Sequence, residues 1–406
     1  MLPFFDERFA NPSGSHWMAR DAMRAVNDAR DKVAALFGAE PGEVIFCSGA
    51  TEADNLAVFG VAGASGVGPP PANQSTGVGA EIVCSAVEHP GVMAPVQRLG
   101  GAVVGVDSKG SLDLDQLSQT VGQHTKLVSV MLVNNETGII QPLAEVAEIL
   151  AERAPQAVFH TDAVQAVNWL DVATHTRPAQ LISLSAHKFG GPKGVGVLIA
   201  RRGVNLAPLI LGGGQERERR AGTHNVAGIV GLAAAAEVAV NNRAANVERV
   251  SQLRDQLADF LVAGIPGALE TGVASAGVAG QIADWDAQCR PGAVNQVAAA
   301  GVAGQIADGV DRSHKIAGSC HLCVAGIESE ALLFLLERGG VYASAASSCA
   351  SGAFEPSHVL AAMGVSRELA KGSLRLSLGA TTTQADIDRA CQVIPSAVQQ
   401  LHKAAA

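Results

Sequence analysis

Leu184-Ser185-Ala186-His187-Lys188-Phe189-Gly190-Gly191-Pro192-Lys193-Gly194 is the stretch whose reading decides the rest of the chain. An apolar run ends in Ser-Ala-His-Lys, and a glycine-rich turn separates it from the next apolar run. A lysine held in such a turn beside Ser and His can form a Schiff base with an aldehyde. Asp162 stands 26 positions earlier, at the end of another apolar run. A carboxylate there can keep a pyridinium nitrogen protonated. The pair describes a seat for pyridoxal phosphate, whose ring acts as an electron sink. For an isolated lysine a solvated side chain is the simpler reading, so the surroundings decide.

Outward from Lys188, the pattern alternates. The sequence predicts an amphipathic helix over 16–37, with Met23, Val26, Val33 and Phe37 at helical spacing and Gly38 as its stop. Short β-type runs fall at 43–48, 81–85, 102–106, 126–133, 157–161, 181–185 and 194–200, several of them separated by helical patterns. This alternation predicts an α/β fold with a mostly parallel central sheet flanked by helices, and chemistry at the carboxyl ends of its strands. Residues 63–79 are Gly/Pro/Ser-rich and read as a surface loop. A large domain is expected over 1–242 and a smaller α+β domain over 243–406. Within the latter, 273–284 recur almost unchanged as 297–308, with eleven of twelve positions matching at a period of 24. Two copies do not make a solenoid, so the segment reads as a duplicated surface insertion.

Composition narrows the class. A chain of 406 residues, 48% hydrophobic and 17% charged, can bury a large core. A net charge of −9 and a pI near 5.7 argue against direct DNA binding. Seven cysteines without a secreted-framework spacing suit free thiols in a reducing cytoplasm. The N-terminus has no signal-peptide layout, and the most apolar stretch, 226–240, is too short and Ala/Gly-rich to read as a membrane span.

Further motifs line up around Lys188. Gly49-Ala50-Thr51 joins a strand to a helix, where free N–H groups and a hydroxyl can hold a phosphate. Glu88-His89-Pro90 offers a histidine able to stack on a flat ring and move protons. Val133-Asn134-Asn135-Glu136-Thr137-Gly138 offers an amide donor for a phenolic oxygen, and His160-Thr161-Asp162-Ala163-Val164-Gln165 carries the aspartate. The charged run Gln215-Glu216-Arg217-Glu218-Arg219-Arg220 precedes Thr223; Arg220 and Thr223 are candidates for a phosphate across a dimer interface, against a solvated charge run. Ala346-Ser347-Ser348-Cys349-Ala350-Ser351-Gly352 places one cysteine among small residues, a setting for an exposed nucleophile. Arg375, in an alternating strand pattern, is a fork-shaped cation suited to a carboxylate. Cys320-His321-Leu322-Cys323 has metal-like spacing but no second ligand pair. In a strand its two thiols face opposite ways, so no metal site is expected.

In this order the motifs resemble the cysteine desulfurases of the NifS/IscS type, in the class V aminotransferase group of fold-type I pyridoxal phosphate enzymes. The resemblance runs from Phe9-Ala10-Asn11-Pro12-Ser13 to Leu376-Ser377-Leu378-Gly379. It implies that Lys188 is the Schiff-base lysine, Asp162 the partner of the ring nitrogen, Asn135 and Gln165 contacts of the ring oxygen, and His89 the stacking and proton-moving group. Ala50, Thr51, Ser185 and His187 would hold the phosphate, with Thr223 reaching in from a second subunit of a homodimer. Arg375 and Asn135 would bind the carboxylate of L-cysteine. The freed Lys188 amine, its pKa lowered by burial, would take the Cα proton. Cys349 would carry the persulfide and hand sulfur to an acceptor or scaffold protein, for iron–sulfur clusters or RNA thiolation.

Two rivals follow. A related class V aminotransferase or selenocysteine lyase would share the cofactor seat, but transamination needs no thiol, and Cys349 favours the desulfurase. The family usually begins with a further Asp-x-Ala-Thr-Thr-like segment, and this chain opens where the family has a Met-Leu-Pro-Tyr-like helix end. Taken as the true start, Met1 leaves out one wall of the substrate site. That supports the other rival, a catalytically silent partner-binding paralogue, which the intact lysine, aspartate and cysteine oppose.

Overall fold

The structure is a computed structural model that describes residues 1–66, 81–273, 310–346 and 357–405. Cys349 and all but the first residue of the duplicated stretch lie outside the described residues. The chain divides into two compact units. The first comprises Met1–Val106, Ser111–Asn135 and Ile140–Ala245; the second comprises Asp107–Gly110, Glu136–Ile139 and Asn246–Ala406. The division falls inside one long helix, Val226–Gly264.

The first unit is built on a seven-stranded sheet. Its strands are β1 (Val44–Cys47), β2 (Ile82–Ser85), β3 (Ala102–Val104), β4 (Leu127–Ser129), β5 (Val158–Asp162), β6 (Leu181–Ser185) and β7 (Gly196–Ala200), in the order β1-β7-β6-β5-β4-β2-β3. β7 runs antiparallel to both neighbours; the other pairings are parallel. The strand expected over 126–133 pairs regularly only to Ser129. Beyond it the Val130 and Leu132 N–H groups still donate to the His160 and Asp162 carbonyls, so the backbone stays tied to β5 while it leaves the ladder.

Helix α1 (Trp17–Leu36) begins one residue inside its expected start, because His16 accepts from the Ala19 N–H as the cap. Gly38 takes up a left-handed conformation just past its end. Helix α2 (Ala50–Ala64) lies across one face of the sheet. Its Ala53, Leu56, Ala57 and Val61 pack with Ile45, Ile82, Leu127, Leu181 and Leu198, all essentially fully buried. Each Leu, Ile or Val among them contributes roughly 1.5–3 kcal/mol on burial.

The second unit contains the antiparallel sheet β10-β9-β8, with β8 at Ala268–Glu270, β9 at Ser319–Val324 and β10 at Ser373–Ser377. Cys320 and Cys323 are buried within β9, and burial pushes both thiols up to about 12. Glu270, before residues 274–309, is held by residues after them. Its oxygens accept from Lys315 Nζ at 2.7 Å and Arg312 Nε at 2.8 Å, and Arg312 also donates to Asp259 at 2.6 Å. The side chains of the two cations and of Glu270 are at most 5% exposed. Burial raises the Glu270 pKa, but Lys315 and Arg312 outweigh it and hold the carboxyl below its ordinary value. Glu270→Gln is expected to cost about 3–5 kcal/mol in urea unfolding, because it takes the carboxylate from buried Lys315 and one of the carboxylates from buried Arg312. The stabilisation is complete above the unfolded pKa of about 4 and disappears as pH falls through the depressed folded value.

Candidate active site

β1, β2, β4, β5 and β6 run in the same direction, so their carboxyl ends share one edge of the first unit's sheet. Each delivers a motif to that edge. Gly49-Ala50-Thr51 follows β1, Glu88-His89 follows β2, Asn134-Asn135 follows β4, Asp162 ends β5 with Gln165 just beyond, and Ser185-Ala186-His187-Lys188 follows β6. The topology thus brings together Ala50, Thr51, His89, Asn135, Asp162, Gln165, Ser185, His187 and Lys188.

Lys188 lies in a single 3-10 turn, Ala186–Phe189, closed by Gly190 at φ 85°, a left-handed conformation that favours glycine. Its carbonyl accepts from Asn168 Nδ2 at 2.8 Å, which ties the turn to the segment after β5. The side chain is exposed, so the first unit does not itself supply the burial expected for the amine. Ser185 Oγ and His187 Nδ1 are 2.9 Å apart.

Asp162 is 5% exposed and accepts from the Val164 N–H at 2.9 Å. Burial pushes its pKa up to about 6, against the pull of that N–H and of Lys188. The neutral form is therefore favoured by folding, and ionising it costs stability as pH rises past its unfolded value of about 4. Asp162→Asn is expected to stabilise the cofactor-free protein by roughly 1–3 kcal/mol at about pH 8, with no gain below about pH 4. The same change should weaken cofactor retention. Thermal melts with and without added cofactor check both signs.

The N-terminus of α2 receives no side-chain cap from Gly49, which leaves the Ala50 and Thr51 N–H groups at its positive end. The Ser48 N–H is taken by Glu52 at 2.7 Å, and Glu52 is gripped by Arg220 at 2.8 and 3.3 Å. Arg220, a candidate phosphate ligand by sequence, is thus engaged with a carboxylate. His89 caps helix α3 (Pro90–Arg98) by accepting the Gly91 N–H on Nδ1 at 3.0 Å. With Nδ1 accepting, a neutral ring carries its proton on Nε2, so the cap is compatible with the stacking and proton-moving role expected of His89.

The charged run before Thr223 is only partly a solvated face: Arg217 and Glu218 are exposed, but Glu216 is not. Glu216 is 5% exposed and accepts from Arg30 at 2.7 and 2.8 Å, from the Phe46 N–H at 3.1 Å and bonds His224 Nε2 at 2.7 Å. Against the effect of burial, Arg30 and His224 bring its pKa to about 2. Glu216, Arg217 and Glu218 all have positive φ, 47° to 66°. The Arg30 pair holds this conformation, and no local signal in the sequence announced a partner 186 positions away. Thr223 lines a cavity of about 220 Å³ with Ser48, Gly194, Arg220 and His224.

In the second unit, Arg375 is half-buried in β10, opposite His321 of β9. Glu136 is 6% exposed and accepts a short hydrogen bond from Ser357 Oγ. Burial raises its pKa to about 7, with Ser357 and Arg375 opposing. In the sequence Glu136 is marked only as part of the polar Asn134–Gly138 stretch, with no sign of its burial.

The first unit's residues fit pyridoxal phosphate: a buried carboxylate for the ring nitrogen, an uncapped helix N-terminus for the phosphate, and a lysine between them in the chain's topology. Comparison with known proteins agrees. Residues 1–279 match the family Aminotransferase class-V. The cysteine desulfurase IscS of Clostridium botulinum is 38% identical over 405 residues, covering 98% of this chain and 90% of that protein. The cysteine desulfurase IscS of Methanosarcina thermophila is also 38% identical, covering 99% and 88%. The chain belongs to the class-V aminotransferase family, among its cysteine desulfurases. A solved NifS-like protein superposes with a TM-score of 0.79 at 31% identity, covering 98% of this chain and 94% of that one. The desulfurase fold is accordingly the fold type I of pyridoxal phosphate enzymes, and pyridoxal phosphate is its cofactor. Among the described residues no helix is long and apolar enough to cross a membrane.

Proposed function

We propose that this desulfurase converts L-cysteine to L-alanine, leaves the sulfur as a persulfide on Cys349, and passes it to an acceptor protein. The observation that carries the reading is the convergence of five motifs on one sheet edge around Asp162 and Lys188. Bound there, the cofactor supplies an electron sink for charge developing at the substrate Cα. Asp162 keeps a negative charge beneath the ring nitrogen. Ala50, Thr51, Ser185 and His187 hold the phosphate, joined by Thr223 of a second copy. Asn135 and Gln165 address the ring oxygen.

Lys188 would anchor the cofactor, and its free amine would take the Cα proton of the substrate. His89, with its proton on Nε2, stacks on the ring and moves protons. Arg375, with Asn135, takes the substrate carboxylate. Cys349 attacks as thiolate: its S–S bond forms as the substrate Cβ–S bond breaks. The carbon ends with the proton, so alanine leaves and no external reductant is consumed. The acceptor is a protein of iron–sulfur cluster assembly or RNA thiolation, and the setting is cytoplasmic.

Incubating the cofactor-loaded protein with L-cysteine and a thiol reductant tests the reading. Alanine and sulfide in equal amounts are expected. A keto acid in place of alanine would point to transamination, and no turnover at all to a silent paralogue.

A further inference from the structure

The sheet face beneath α2 changes character along its strands. Leu127 gives way to Ser129 on β4, Val158 to His160 and Asp162 on β5, and Leu181 to Ser183 and Ser185 on β6, each step keeping the same face. The apolar ends join the α2 core, and the polar ends form a buried layer at the carboxyl edge. Ser129 Oγ is 2.8 Å from His160 Nδ1, and His160 Nε2 is 3.0 Å from Ser183 Oγ. Ser129, His160 and Ser183 are completely buried.

Asp54 enters this layer from the second turn of α2. It is completely buried, and its Oδ1 lies 3.7 Å from His160 Nε2. Neither of its oxygens makes a hydrogen bond of normal geometry, although the Ser183 hydroxyl is close enough to act on it. Its space depends on Gly91, where a Cβ would come within 2.9 Å of Oδ2. Asp54, Glu88 and Asp162 share this interior, with Lys188 acting on Asp162 as a cation. Three carboxyls in a low dielectric do not hold three charges. Burial, reinforced by Asp162, pushes Asp54 well above the carboxylate range. Burial alone brings His160 down to about 3, leaving a neutral imidazole.

We propose that Asp54 is a positioning residue for Asp162: a carboxyl that keeps its proton, faces the Ser183–His160 pair as a donor group, and leaves the cluster's negative charge on Asp162. The inference rests on the reading of Asp162 as the residue that faces the cofactor ring nitrogen. Packing alone does not call for a carboxyl here, since an apolar side chain of similar volume would avoid the cost of desolvating one. A donor beneath the anion's neighbours is what the carboxyl adds. It orients the hydroxyl and imidazole dipoles without placing a second charge beside Asp162.

Asp54→Leu removes the donor and Asp54→Asn keeps a neutral one. In the cofactor-loaded protein, D54L is expected to shift the pH midpoint of the cofactor's visible absorbance by at least about one unit. It should lower kcat at least about tenfold with KM within about twofold. The melting temperature of its cofactor-free form should not fall. D54N should restore midpoint and kcat to within about threefold of the parent. Infrared difference spectra of cofactor-free D54N against the parent near neutral pH should show loss of a protonated carboxyl stretch. Loss of carboxylate stretches instead overturns the proposal, as does a D54L protein whose absorbance midpoint stays in place. The infrared result does not involve the cofactor. If instead Asp162→Asn leaves the absorbance unchanged, the reading of Asp162 fails while the charge state of Asp54 still stands.

Discussion

Lys188→Ala is expected to lower alanine formation from L-cysteine by at least roughly 10⁴-fold while leaving the fold intact. The size of the effect follows from the two tasks proposed for one side chain, anchoring the cofactor and taking the Cα proton. The intact fold follows from the turn. Lys188 is exposed, and the hydrogen bond that ties its turn to the segment after β5 uses its backbone carbonyl, which alanine keeps. Borohydride should fix cofactor to the parent and not to the variant. Far-ultraviolet circular dichroism and melting should be unchanged. A K188A protein that keeps more than about a hundredth of the parent rate would remove Lys188 from its assigned role.

The second large effect belongs to Cys349. Cys349→Ser should keep the cofactor absorbance and its response to L-cysteine, and should lose sulfide release by at least about a thousandfold. The serine hydroxyl is a far weaker nucleophile toward sulfur at neutral pH, since the thiolate is the attacking species. Undiminished sulfide formation by C349S would sink the persulfide assignment while leaving the cofactor site in place. The two variants thus divide the account: Lys188 tests the cofactor, and Cys349 tests what the cofactor is used for.

The motifs on the parallel sheet were legible because each combines a strand end with residues of distinctive chemistry. Alternation of short apolar runs with helical periods predicted the α/β layer, and the turn after β6 placed Lys188 where the structure has it. The antiparallel β7 was not legible, because a fully buried strand reads the same in either direction. The Arg30–Glu216 pair was not legible either. Its members are far apart in sequence, and Glu216 sits in a run that local pattern assigns to solvent. His89 shows a different limit. The sequence offered a ring-stacking and proton-moving residue, and the side chain also caps α3 through one ring nitrogen. Asp54 escaped notice because an acid two residues from Glu52 in an Ala-rich helix looks solvated until the strands beneath it are seen to carry serine and histidine.

The central claim is that sulfur leaves L-cysteine through a thiol of this chain with the carbon skeleton released as alanine. The most direct measurement is a single turnover of the cofactor-loaded protein with an equimolar amount of L-cysteine and no acceptor or reductant. Alkylation and mass spectrometry of the Cys349 peptide follow, with amino-acid analysis of the supernatant. The account predicts one added sulfur on Cys349 in step with alanine. Alanine formed with Cys349 unmodified at every time point would contradict it.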